Sequence, residues 1–247
     1  MKQTKIIMGM PITVEVVDDI TSQDFESVFT YFKRVDNRYS TYKVTSEISK
    51  INNGLPRREW SQEMKQVLGL CEQTKQLTNG YFDISHNGKL DPSGLVKGWA
   101  INNAAKLLSD KGIKNFYIEA GGDVQVQGTN ADAQLWAVGI RNPFNIEEII
   151  KVVKLTDVGI ATSGTYIRGQ HIYNPRADHH EINSVKSLTV VGPNIYEADR
   201  YATAAFAMGK KGIAFIEATL SLEGYMVDEN KIATYTSGFE RYVAPNA

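Results

Sequence analysis

A single cysteine, Cys71, excludes any disulfide within this chain of 247 residues, which suits a reducing compartment and leaves an oxidising one open. Net charge is −1 and no basic run occurs, which argues against nucleic-acid binding through phosphate neutralisation. No apolar run approaches the length of a membrane span. The first eleven residues carry two lysines but no apolar stretch of the kind a secretory signal needs. The expectation is a protein that stays inside the cell, or a trimmed form of an exported one. Internal repeats, low-complexity linkers and a regular strand–helix–strand rhythm are also missing. Their absence points to one α+β, or mixed α/β, domain over residues 1–247 and away from a doubly wound dinucleotide fold.

What is present is ordinary globular composition, 42% hydrophobic and 22% charged. Residues 5–17 alternate and are rich in Ile and Val, which predicts a strand. Ser22 can cap a helix to about Asp36, with Phe25, Val28, Phe29 and Phe32 at helical spacing. Ser61 opens a second helix with Met64, Val67, Leu68 and Cys71 as its buried stripe, ending near Asn79-Gly80. Residues 81–84 look extended. A third helix starts at or beside Gly94 and stops at Gly112. Strands are expected over 115–120, from Asp123, over 136–140, 151–155, 159–162, 165–173 with a Gly169-Gln170 break, and 187–191. A helix holding Asp199, a short helix over 212–219 and strands near 225–227 and 232–236 complete the pattern.

Two segments carry the chemistry. In Ala198-Asp199-Arg200-Tyr201-Ala202-Thr203, a carboxylate and a hydroxyl lie four residues apart and so share a helix face. Together they suit a hard divalent cation such as Mg²⁺. An aspartate near a helix start also serves as a cap, and spacing alone leaves both readings open. In Asp91-Pro92-Ser93-Gly94-Leu95-Val96-Lys97-Gly98, turn residues lead into a helix whose N–H groups favour an anion, with Lys97 one turn in. The same pattern also describes a plain loop-to-helix junction with a solvated lysine. It lacks the spacing of a phosphate-binding P-loop. The stretch Gly159-Ile160-Ala161-Thr162-Ser163-Gly164 is small enough to lie against a ligand, or to form a hairpin turn. His171 has the chemistry of a base for an alcohol nucleophile or of a structural histidine. His179 and His180 fall in a polar loop, and His86 has no supporting context. Tyr39, Tyr42, Tyr81, Phe82, Trp99 and Tyr173 offer flat faces beside these segments, or core bulk.

In their order and spacing these pieces resemble the ApbE family of flavin transferases, the FAD:protein FMN transferases. The likeness runs from Met8-Gly9-Met10 through Ser40-Thr41-Tyr42, Gly80-Tyr81-Phe82-Asp83-Ile84, the Asp91 helix start and Gly121-Gly122-Asp123. It continues through Ala161-Thr162-Ser163-Gly164, the segment from His171 to Pro175, and Glu197-Ala198-Asp199 to Gly209.

The resemblance implies that family's single catalytic fold and reaction. FAD is split at its pyrophosphate, FMN passes to a Thr or Ser hydroxyl of a flavoprotein subunit or domain, and AMP leaves. Some members instead hydrolyse FAD to FMN and AMP, and a non-catalytic FAD-binding protein is a further alternative. By position, Asp199 and Thr203 would hold Mg²⁺ with the backbone carbonyl of Gly94. Met8, Tyr42, Tyr81, Phe82, Asp83, Asp91, Lys97 and Tyr173 would contact FAD. His171 would activate the acceptor hydroxyl, and Lys97 would add electrostatic stabilisation. The chain departs from the pattern at Asn174-Pro175, where Asp-Pro is usual, and at Ala202, where some members carry an acid. Family members are often exported and lipid-anchored, and no lipobox cysteine is present here.

Overall fold

The structure is a computed structural model that describes residues 1–165, 172–177 and 180–244. In chain order it forms β1 (Lys2–Ile7), β2 (Met10–Val16), α1 (Ser22–Tyr39), α2 (Glu47–Asn52), α3 (Gln62–Leu77), β3 (Ser85–His86), β4 (Lys89–Leu90) and α4 (Ser93–Ser109). Then follow β5 (Phe116–Ala120), β6 (Asp123–Gln127), β7 (Trp136–Asn142), β8 (Asn145–Leu155), β9 (Gly159–Gly164), β10 (Tyr173–Asn174), β11 (His180–Glu181) and β12 (Val185–Gly192). The chain closes with α5 (Ile195–Ala207), α6 (Gly212–Glu217), β13 (Glu223–Asp228) and β14 (Ala233–Tyr235).

Eight strands make one sheet in the order β1-β2-β5-β6-β9-β12-β13-β14. Every neighbouring pair in it is antiparallel. This is the mixed α/β class expected from sequence. Its central strands are buried on both faces, and the side-chain alternation of a strand divides them between two cores. Ala161, Val190 and Met226 join the core beneath the helices, while Ile160, Val191 and Tyr225 join a second core. That second core is covered by the β7–β8 ribbon through Trp136, Val138, Ile140 and Val153. Among the described residues no helix is long and apolar enough to cross a membrane.

Several expectations are corrected. Residues 5–17 are not one strand but the β1–β2 hairpin. Met8 (φ 57°) and Gly9 (φ 72°) both adopt the left-handed conformation that a two-residue hairpin turn requires. Thr21, not Ser22, caps α1, its hydroxyl accepting from the Asp24 N–H. No strand forms over residues 81–84; pairing begins at Ser85. The helix holding Asp199 does not begin at that residue. Its cap is Asn194, whose side chain accepts from the Glu197 N–H, which puts Asp199 in the second turn. The capping explanation for Asp199 therefore falls. The expected strand over 165–173 lies mostly outside the described residues.

The helical layer also carries a charge cluster with a pH consequence. Glu63 accepts hydrogen bonds from Arg34 at 2.7 Å and Arg38 at 2.8 Å. Burial pushes its carboxyl up, but the two arginines outweigh it and hold the pKa below its ordinary 4.5. Asp18 behaves similarly: partial burial raises it, and hydrogen bonds from Asn115 and the Lys114 backbone bring it below 3.8. A carboxyl depressed in the folded state stabilises above its unfolded pKa and loses that contribution as pH falls. Melting temperature is therefore expected to drop as pH falls through about 4.5 and below, and Glu63→Gln should flatten that drop. A Glu63→Gln variant with the wild-type acid slope would refute the assignment.

Candidate functional site

The site forms where the start of α4 meets the flank of α5. Asp91 shapes the approach: its Oδ1 accepts from the Ser93 N–H at 3.0 Å, and its own N–H donates to the Ile84 carbonyl at 2.7 Å. Further into α4, the Gly98 N–H donates to Asp199 Oδ2 at 2.7 Å. In a regular helix that N–H serves the carbonyl four residues back, here Gly94. The bond to Asp199 competes for it, and the Gly94 carbonyl receives the Thr203 hydroxyl at 3.3 Å. Asp199, Thr203 and Gly94 thus bring a carboxylate, a hydroxyl and a carbonyl together.

This convergence depends on glycine and on a firmly seated α5. A Cβ on Gly98 would lie 2.6 Å from Asp199 Cβ and 2.7 Å from the Ile195 carbonyl oxygen. A Cβ on Gly159 would lie 2.0 Å from the Ile195 nitrogen, so only glycine lets β9 meet the first turn of α5. Gln125, buried beneath the sheet–helix junction, accepts from the Ile195 N–H at 2.8 Å and donates to the Val126 and Val158 carbonyls. The first N–H of α5 is in this way satisfied by a side chain inside the protein.

Lys97 is no solvated lysine. Its side chain is 15% exposed, and its ammonium pairs with Asp123 and lies 3.8 Å from Asp199 Oδ1. Asp123, 1% exposed, follows the Gly121-Gly122 turn, both of whose glycines have positive φ, and its Oδ1 accepts from the Thr162 N–H at 3.1 Å. One cation thus sits between two buried carboxylates carried by β6 and α5. Burying ionised groups is costly unless they are paired and hydrogen-bonded, as these are.

These groups open into a cleft of about 610 Å³. Of the residues expected from sequence, Tyr81, Phe82, Asp83, Asp91, Gly94, Lys97, Tyr173, Asp199 and Thr203 line it. Phe82 is buried and backs Gly94, while Asp83 is engaged by Lys75 at 2.7 Å. Two expected residues are not among those lining the cleft. Met8 is held in the hairpin turn, and Tyr42, in the turn beyond α1, is 97% exposed while Thr41 and Val44 form the rim. His171 and His179 lie outside the described residues; His180 is exposed. Thr162, Ser163 and Gly164 do line the cleft, in keeping with a segment small enough to lie against a ligand.

Sequence reasoning did not single out two of the residues now present. Asp123 was signalled only by its place after a double-glycine turn. His86 had no signal at all, because its importance comes from Tyr173 in a distant segment: the rings stack at 4.7 Å between centroids and 3° between planes.

Among the described residues no three His, Cys, Asp or Glu side chains cluster as a metal cage. The donor set nevertheless fits Mg²⁺, which is commonly held by one or two carboxylates with waters and substrate phosphates completing its shell. Asp199 with Thr203 and the Gly94 carbonyl supplies hard oxygen donors of that kind.

A mainly antiparallel sheet with helices on one face, and an oxygen-lined cleft at the junction of two of those helices, defines the structural class. The chain belongs to the ApbE family, whose model matches residues 8–88 and 85–226. It is 32% identical over 139 residues to the FAD:protein FMN transferase of Vibrio cholerae, a match covering 52% of this chain and 42% of that protein. To the enzyme of the same name from Haemophilus influenzae it is 21% identical, with 97% of this chain and 92% of that one covered. Thus the alignment with the Vibrio relative spans less than half of its length. Among solved structures, the flavin transferase ApbE of Vibrio cholerae superposes with a TM-score of 0.85 at 21% identity, covering 98% of both chains. The ApbE protein of Thermotoga maritima gives 0.86 at 21% identity, covering 99% of both. These structures establish the fold.

Proposed function

We propose that this protein transfers FMN from FAD to a Thr or Ser hydroxyl of a flavoprotein subunit or domain, releasing AMP, with Mg²⁺ as its metal. The observation that carries the reading is the convergence of Asp199, Thr203, the Gly94 carbonyl and Lys97 in one cleft that also presents Tyr81 and Tyr173. The cleft's volume lies within the range of about 300–1,000 Å³ usual for cofactor and ligand sites. Family membership and the names of the relatives support the same reaction.

The acceptor oxygen attacks the phosphorus on the FMN side of the pyrophosphate. A new phosphoester bond forms, the bridging P–O bond breaks, and AMP departs with that bond's electron pair. The hydroxyl proton passes to a base, a role the family resemblance gives to His171. Lys97 offsets the negative charge gathered around the bridge, while Asp123 restrains it from one side. Asp199, Thr203 and Gly94 would hold Mg²⁺, which when bound neutralises phosphate charge and orients the attacking and leaving oxygens. Tyr81 and Tyr173 offer flat faces to the heterocycles.

Incubation with FAD, Mg²⁺ and a flavoprotein acceptor bearing the target hydroxyl is expected to give a fluorescent band that survives denaturation, together with one AMP per flavin attached. AMP release without acceptor would identify a hydrolase instead. FAD binding without AMP under either condition would reduce the protein to a flavin carrier.

A further inference from the structure

His86 and Tyr173 come from different parts of the chain, and both line the cleft. His86 stands on the β3–β4 hairpin, whose turn residues Asn87 (φ 50°) and Gly88 (φ 71°) both have positive φ, as a two-residue hairpin turn demands. That arm is anchored from behind. The Asn52 side chain donates to the Leu90 carbonyl at 2.9 Å and accepts from the Leu90 N–H at 2.8 Å. Tyr173 stands on β10, followed by a turn in which Asn174 Oδ1 accepts from the Arg176 N–H at 2.9 Å. Arg176 in turn lies over the Tyr81 ring at 5.4 Å. Ring contacts therefore join the β10 arm to the 81–90 segment, Tyr173 on His86 and Arg176 on Tyr81 among them.

We infer that His86 is a positioning residue for the nucleotide: it fixes the ring plane of Tyr173, and the stacked pair forms the platform on which one flat heterocycle of the dinucleotide rests. This rests on the flavin reading of the cleft. The imidazole meets Tyr173 through its flat face, so an aromatic replacement preserves that contact and an aliphatic one does not. An exposed aromatic side chain loses rotational freedom when a ligand stacks on it. Stacking at 4.7 Å and 3° selects one orientation of Tyr173 before the ligand arrives, which lowers the ordering cost of binding.

The test is calorimetric titration of the full chain with FAD, FMN and AMP separately, comparing wild type, His86→Ala and His86→Phe. Loss of one aromatic contact corresponds to about a 2- to 10-fold change in affinity. His86→Ala is expected to weaken FAD by that factor, and His86→Phe to bind FAD within about two-fold of wild type. The Ala loss should appear with only one of the two half-molecules, FMN or AMP, which identifies the ring on the platform. Wild-type FAD affinity in His86→Ala overturns the proposal, as does an equal loss in His86→Phe, or losses shared by both half-molecules or shown by neither. A wild-type protein that binds no FAD overturns the flavin reading itself and this inference with it.

Discussion

Asp199→Asn is expected to slow flavin attachment by about 10³-fold or more while leaving the fold in place. Asparagine keeps the size of the side chain and an oxygen able to accept from the Gly98 N–H, which now reaches Asp199 Oδ2 at 2.7 Å. What it removes is the charge, and with it the one carboxylate in the proposed cation set. Electrostatic support of this kind amounts to several kcal/mol, and each 1.36 kcal/mol is a factor of ten in rate, about 10³ in all. Asp199→Ala should match the kinetic loss and add a structural one. The buried Gly98 N–H would lose its inter-helix acceptor, at a cost of about 1–3 kcal/mol. In a chain of this size that is a fall of roughly 2–12 °C in melting temperature. Rates at saturating FAD, calorimetric Mg²⁺ affinity in the presence of FAD, and thermal melts separate the two effects. If Asp199→Asn labelled its acceptor at the wild-type rate, the cation assignment would fail.

The pairing of Asp199 with Thr203 was legible from sequence because it depends only on helical spacing, which holds wherever the helix begins. Asp199 lies one turn deeper in that helix than a capping role requires, and Asn194 followed three residues later by Glu197 is the start signal. Periodicity served well in α1, where Phe25, Val28, Phe29 and Phe32 are all buried, and in α3, capped by Ser61 as expected. It failed at the β1–β2 turn, because methionine is not a residue that announces left-handed backbone and only Gly9 hinted at it. The tertiary relations were out of reach. Lys97 between Asp123 and Asp199 requires β6, α4 and α5 to meet, and the stacking of His86 on Tyr173 requires two hairpins far apart in the sequence to close on each other. No local pattern encodes either arrangement.

Gly98→Ala should damage stability and activity together, because the position couples the packing of α4 against α5 to the geometry of the cleft. The new methyl would stand 2.6 Å from Asp199 Cβ and 2.7 Å from the Ile195 carbonyl oxygen. Neither obstacle is the end of a flexible side chain, so no rotamer change relieves it and the helices must separate. Overpacking of this kind costs about 1–3 kcal/mol, occasionally more, which predicts a melting temperature lower by roughly 2–12 °C. The contacts that would stretch are the Gly98–Asp199 and Thr203–Gly94 hydrogen bonds, which hold the oxygen donors in register. A misplacement of about 1 Å at a reacting centre can cost around 10²-fold in rate. The loss should therefore exceed what partial unfolding explains, and should persist at temperatures well below the melt. Gly69 in α3 supplies the contrast: a Cβ there meets nothing within 4 Å, so Gly69→Ala should raise stability by up to about 1 kcal/mol through helix propensity alone and leave labelling untouched. If Gly98→Ala behaved like Gly69→Ala in melts and labelling, the close approach of α4 to α5 would not be what holds Asp199 in place.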